Sequence, residues 1–168
     1  MPENMNARNL ILAILLTIIA IGQIVLAILL YEGEANSVAR NAGWGILWLS
    51  ALFGWLPIFT FKRWGGVARG RSYVHTTQLV DSGIYAIVRH PQYLAGILLG
   101  VALALIAWHW LVGVLGAALI IIYYANTFDE EERVIAKFGY EYSSYAKRVP
   151  RLNFILGIVR AIRRRTTG

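Results

Sequence analysis

The sequence contains no cysteine, so it has no disulfide, no thiolate metal site and no thiol nucleophile. Acidic charge is scarce too: 9 Asp and Glu stand against 16 Lys and Arg, for a net charge of +7, and charged residues of both signs make up only 15% of the chain. It has no Gly-rich phosphate loop and no Gly-x-Ser-x-Gly elbow. No His and carboxylate residues fall at metal-ligand spacing, so no metal is expected. Internal repeats and low-complexity linkers are also missing. What dominates instead is apolar: 58% of the 168 residues are hydrophobic, far more than an ordinary soluble domain carries.

The apolar residues are grouped in runs. Residues 10–31 carry no charge, and those 22 residues suffice to cross a hydrocarbon core of ~30 Å at ~1.5 Å per residue. The run is longer than a signal-peptide core and no small-residue cleavage site follows it, so it is expected to stay as a span. Residues 42–61 form a second run, with Trp44, Trp48 and Trp55 along it and Pro57 near its end. Residues 91–125 are a third uncharged stretch, too long for one span and interrupted by Trp108, His109 and Trp110. Aromatic side chains favour the membrane–water boundary, so this trio predicts the tip of a helical hairpin. The expected fold class is all-α integral membrane, a single domain over 1–168 with four transmembrane helices at about 10–31, 42–61, 91–107 and 110–125.

With four spans, residues 1–9, 62–90 and 126–168 share one side, and they hold 15 of the 16 Lys and Arg. The positive-inside tendency then places both termini and the polar clusters in the cytoplasm. The net positive charge calls for contact with an anionic leaflet and not for a nucleic acid. Residues 62–88 form the longest connection, and Trp64, Tyr73 and Tyr85 suggest an interfacial course for part of it. Near the C-terminus, Leu152, Ile155, Val159 and Ile162 recur on one helical face with Arg160, Arg163 and Arg164 mostly off it, which predicts a basic amphipathic helix lying on the membrane.

Two polar clusters flank the hairpin. The first, LVDSGIYAIVRHPQY at 79–93, ends in Arg89 and His90 stopped by Pro91, with Tyr85 and Tyr93 on either side. A lone Arg there could simply snorkel, with Pro91 in the first turn of a helix. A titratable ring beside a fixed cation at a helix start also suits an anion such as a carboxylate or phosphate. The second cluster, 129–150, opens with Glu130, Glu131 and Glu132 and reaches a helix stop at Gly139. Glu130, Val134 and Phe138 share a helical face, so Glu130 is expected to point inward while Glu132 stays solvated. A carboxylate there could hold an ammonium, accept from ribose hydroxyls or take a proton from an amine. His75 reads as a surface residue and His109 as interfacial.

Together the two clusters follow the pattern LVxxGxYxxxRHPxY and then EExxLxxxFGxxYxxYxxxVP. The matching positions are Leu79, Val80, Gly83, Tyr85, Arg89, His90, Pro91 and Tyr93, then Glu130, Glu131, Val134, Phe138, Gly139, Tyr142, Tyr145, Val149 and Pro150. Over about 77–150 the chain therefore resembles the isoprenylcysteine carboxyl methyltransferase and phospholipid methyltransferase superfamily. The resemblance implies a membrane-embedded methyltransferase, unrelated to soluble Rossmann-type enzymes, that uses S-adenosyl-L-methionine and releases S-adenosyl-L-homocysteine. It further implies a cofactor site from Thr77, Gln78, Leu79, Val80, Gly83, Tyr85, His90, Pro91, Gln92, Tyr93 and Glu130, with Glu130, Glu131 and Arg89 as catalytic residues. Isoprenylcysteine methyltransferases place an Arg four residues before the first Glu of the pair. Here that position is Asn126, which supplies no charged bidentate clamp for an acceptor carboxylate. Asn126 and Arg133 are the candidate acceptor-binding residues.

The expected acceptor is a membrane lipid or other lipophilic small molecule, either a phospholipid headgroup amine or, with Arg133 or Arg89 in place of the missing Arg, an isoprenylcysteine-type carboxylate. Two further readings stay open at this level: an NADPH-dependent enzyme related to the sterol reductases, and a non-catalytic membrane scaffold.

Overall fold

A computed structural model describes residues 7–33, 36–64 and 78–166. They form six α-helices with no strand among them: α1 (Ala7–Leu29), α2 (Ser37–Trp64), α3 (Pro91–Ala107), α4 (Trp110–Phe138), α5 (Tyr140–Arg148) and α6 (Phe154–Thr166), with a 3₁₀ turn at Gly83–Ala86. Three stretches are long and apolar enough to cross a membrane: Leu10–Leu29, Ser37–Trp64 and Trp110–Phe138. The apolar α3 is shorter, at 17 residues. Asn36 caps α2 by accepting from the Ala39 amide at 3.0 Å. The helix passes unbroken through the buried Pro57. His75, Tyr73 and the basic Gly-rich stretch after Trp64 lie outside the described residues.

The chain packs as two compact units. One comprises Met1–Leu49 and Gly96–Tyr123. Within it, Trp108 and His109 form the turn between α3 and α4, with Trp108 in the left-handed region at φ 48° and Trp108 and Trp110 exposed. The hairpin tip read from the aromatic trio is therefore observed. Eight residues from Trp108 on either side, Gly100 and Gly116 let the two helix backbones meet; a Cβ on Gly116 would lie 3.0 Å from the Gly100 carbonyl oxygen. The fully buried Gln23 of α1 completes this contact. Its amide donates to the Gly100 carbonyl at 2.9 Å and the Val112 carbonyl at 3.1 Å. A small apolar cluster of Ala27, Ala107 and Val112 lies in the same unit.

The other unit comprises Ser50–Ala95 and Tyr124–Gly168. Its core is aromatic: Tyr142, Tyr145 and Val149 are buried against Leu79, Val134, Phe138 and Ala146. Gly139 stops α4 with φ 55°, which lets α5 start in a new direction one residue later. Gly83 is also left-handed, at φ 60°, and any Cβ there would lie 2.9 Å from the Thr60 hydroxyl. Both conformation and space thus demand glycine at that position. The helix that ends at the expected stop, Gly139, is continuous with the last apolar run in α4.

Candidate functional site

All of the site lies in the second unit, where the start of α3, the end of α4 and the segment after α5 bring their polar residues together. Pro91 opens α3 and is fully buried, so the two residues before it are held at the helix mouth. Their amides are already used: Arg89 N–H donates to the Pro150 carbonyl at 3.0 Å and His90 N–H to the Arg151 carbonyl at 3.2 Å. The segment around Pro150 therefore takes two donors that the helix start offered to an anion in the sequence reading.

Glu131 is the centre of the cluster. It is 8% exposed, and its Oε1 lies 3.0 Å from His90 Nε2, 3.0 Å from an Arg89 guanidinium nitrogen and 3.1 Å from Arg151 Nε. Its Oε2 accepts from the second Arg151 nitrogen at 2.7 Å. Three of those contacts converge on Oε1 and one falls on Oε2. The Arg151 guanidinium also stacks on Phe128, 3.8 Å above the ring centroid. The charged hydrogen bonds to Glu131 raise the Arg151 pKa further above its ordinary value.

Glu130 has a different environment. Its side chain is 37% exposed, His90 Nδ1 is 3.6 Å from its Oε2, and the Tyr93 hydroxyl donates to it. The His90 ring meets Tyr93 edge to face at 5.7 Å. His90, 5% exposed, is thus set between the two carboxylates. The inward face of α4 keeps Val134 and Phe138 as expected, with Thr127 and Glu131 buried beside them and Glu130 half-buried. Two guanidinium groups and the His90 ring reach Glu131 and offset part of the cost of burying it; Glu132 is exposed, as expected.

The tyrosines around the cluster are neutral donors. Burial first, then the Glu131 charge, pushes Tyr142 up to about 12. Burial also raises Tyr85, helped by Glu130, and raises Tyr145, helped by Tyr142. The Tyr145 hydroxyl donates to the Tyr85 carbonyl at 2.7 Å and pins the 3₁₀ turn to α5.

Of the residues proposed from sequence, Arg89, His90, Tyr93, Glu130 and Glu131 come together in this network. Pro91 and Gly83 shape the backbone that carries it. Leu79 packs into the aromatic core, Val80 is buried, and Gln78 and Gln92 are exposed. Asn126 is half-buried one turn before Glu130, and Arg133 is exposed. Thr77 lies outside the described residues. The residue missed was Arg151, directly after the Val149-Pro150 end of the motif. Its only sequence signal was a cation following a helix stop, which is common on any basic surface.

Comparison with known proteins matches this picture. A rat protein named protein-S-isoprenylcysteine O-methyltransferase is 32% identical over 125 residues, 67% of this chain and 44% of its own length. A human protein of the same name is 36% identical over 94 residues, 55% of this chain and 32% of its own length. The chain therefore spans less than half the length of the curated relatives it matches. No solved structure matches it. The family model described as phospholipid methyltransferase matches residues 39–141, more than half of the chain. Its long apolar helices are those of an integral membrane protein. With that match extending from α2 through the paired glutamates, the chain belongs to the phospholipid methyltransferase family.

Proposed function

We propose that this protein is an S-adenosyl-L-methionine-dependent methyltransferase acting on a lipophilic acceptor at the cytoplasmic membrane face, with a phospholipid headgroup amine as the acceptor. The observation that carries this reading is the unequal pair of carboxylates: Glu131 is saturated by Arg89, His90 and Arg151, whereas Glu130 is held by His90 and Tyr93 and remains partly open. In this topology α3 also spans and brings the count to four, because 17 residues reach the short end of the spanning range. The charge bias puts both termini and the site on the cytoplasmic side, with the basic tail against anionic headgroups.

The residues present fit the cofactor. Glu130 is an accessible acceptor for an ammonium or a ribose diol. Arg89 Nε is a buried donor with no partner among the described residues, suited to a carboxylate. Tyr85 and Tyr93 offer ring faces to a sulfonium, and Gln92 an exposed amide. Bound there, S-adenosyl-L-methionine would supply an electrophilic methyl group on a sulfonium whose sulfur leaves as a neutral thioether. The protein's part is alignment and exclusion of water, and oriented reactants gain on the order of several kcal/mol from alignment. Glu130 takes the proton that an amine acceptor must lose, and Tyr93 and His90 keep that carboxylate oriented. Glu131, engaged by three side chains, positions Arg89 and His90.

Arg89 and Arg151 are both committed to Glu131, and Asn126 carries no charge, so the interior offers no spare guanidinium pair for an acceptor carboxylate. The relatives' name nonetheless favours a second reading, carboxyl methylation of an isoprenylcysteine-type acceptor through the exposed Arg133. Incubation with methyl-labelled S-adenosyl-L-methionine and total lipid, then base treatment, separates the two. Label that stays on lipid supports the amine, and label released as methanol supports the ester. His90→Ala should weaken S-adenosyl-L-homocysteine binding, and Glu130→Gln should reduce turnover; unchanged behaviour of both variants would remove the site assignment.

A further inference from the structure

The last helix presents three separate faces. At about 100° per residue, Ile155, Ile158, Val159 and Ile162 of α6 fall on one side. They are exposed, Ile155 by 65% and Ile162 by 59%. Arg163 borders that apolar face and Arg160 lies further round on the same side, both exposed. Nearly opposite it, Gly157 faces the protein so closely that a Cβ there would collide with the Ile87 carbonyl oxygen. On the same inner side Arg164 donates to the Ala86 carbonyl at 2.8 Å, and Phe154 meets Phe53 edge to face at 5.3 Å. Asn153 caps the helix by accepting from the Leu156 amide at 3.0 Å.

These contacts converge on one short stretch. The body of α6 grips the backbone of Ala86 and Ile87, and the segment just before it accepts from the amides of Arg89 and His90 through Pro150 and Arg151. Every residue from Ala86 to His90, apart from the fully buried Val88, is thus tied to α6 or to its root. Meanwhile the outer face of the helix is apolar, edged by Arg163 and covered by none of the described residues.

We propose that α6 is a lipid-responsive clamp on the site: its outer face takes an anionic bilayer surface, and the helix so held keeps Arg89 and His90 in the geometry that binds cofactor. Charge complementarity selects the partner, since an isoleucine and valine face edged by Arg163, with Arg160 further round, suits acyl chains beneath anionic headgroups. A surface that binds only the docked helix shifts the population toward the docked state. The coupling to cofactor rests on the methyltransferase reading above; the docking itself does not.

The absence of native cysteine gives a direct test. Ile155→Cys, carrying an environment-sensitive fluorophore, is placed in nanodiscs of phosphatidylcholine or of an equal mixture with phosphatidylglycerol. S-adenosyl-L-homocysteine affinity is measured in both. The anionic mixture should shift the emission to the blue and tighten the affinity about 5-fold or more, the low end of ordinary coupling energies. Arg160→Gln with Arg163→Gln should lose both effects. Gly157→Ala should bring the affinity in the mixture down to its value in phosphatidylcholine. Equal emission in the two lipids overturns the docking. A blue shift with unchanged affinity, or an unaffected Gly157→Ala, overturns the clamp. Emission that follows protein concentration instead of lipid charge means a second copy covers the face, and overturns the lipid partner. If S-adenosyl-L-homocysteine binds in neither lipid, the methyltransferase reading fails and the coupling falls with it, while the emission still decides the docking.

Discussion

Two buried polar side chains, Gln23 in one unit and Glu131 in the other, are held in opposite ways. Gln23 is neutral, and its amide bonds only to backbone carbonyls, between helices brought close by Gly100 and Gly116. Glu131 bonds only to side chains, two guanidinium groups and the His90 ring, drawn from two separate parts of the chain. The first arrangement is the economical way to join apolar helices: one amide, small residues and no ions to desolvate. The second is an expensive way to hold a fold, because buried ion clusters seldom outperform apolar packing. A cluster of that kind next to an open carboxylate is more readily understood as serving chemistry than stability.

The sharpest way to break this comparison is to remove the carboxylate. Glu131→Ala strands Arg89, His90 and Arg151 and should cost about 3–5 kcal/mol, read as a lower melting temperature in detergent. Adding Arg151→Ala should recover part of that loss, since one cation fewer is left uncompensated. A double variant no better than the single would mean that Glu131 is not the centre of the cluster. Gly83→Ala is the next largest. Its left-handed backbone alone should cost about 1–2 kcal/mol, before the clash with Thr60 is counted, and cofactor affinity should fall along with stability. Gln23→Leu should be milder, about 0.6–1.5 kcal/mol, because helix carbonyls in α3 and α4 lose only a second partner. Its S-adenosyl-L-homocysteine affinity should match wild type, and a loss there would contradict the division of labour between the units. Smallest of all, Arg133→Gln should change stability by less than about 0.5 kcal/mol. It should leave transfer to an amine acceptor intact, whereas a raised KM for an acidic acceptor would favour the ester reading.

Much of this was legible in the chain itself. Uncharged runs of spanning length marked the apolar helices, and the aromatic trio marked the turn at Trp108 and His109. The motif placed His90 and the glutamates on either side of one hairpin, and they do meet. Less legible was the fate of each carboxylate. Spacing pointed Glu130 inward, yet Glu131 is the one buried, because the choice between neighbours on a helix depends on what approaches from elsewhere. Arg151 gave no signal for the same reason: its partner lies 20 residues away in sequence, across a change of helix direction.

The sequence by itself determined the helical class, the apolar lengths, the hairpin turn and the amphipathic character of the last helix. Those properties follow from local periodicity and from the cost of placing charge in hydrocarbon. Only the tertiary structure decided that Glu131 is saturated and Glu130 open, that Gly157 presses α6 onto Ile87, and that Gln23 ties α1 to α3 and α4. Each of these depends on backbones approaching within a few ångströms across long sequence separations, such as the 41 residues between His90 and Glu131. Residue spacing carries no record of such contacts, because they arise only once the helices have packed.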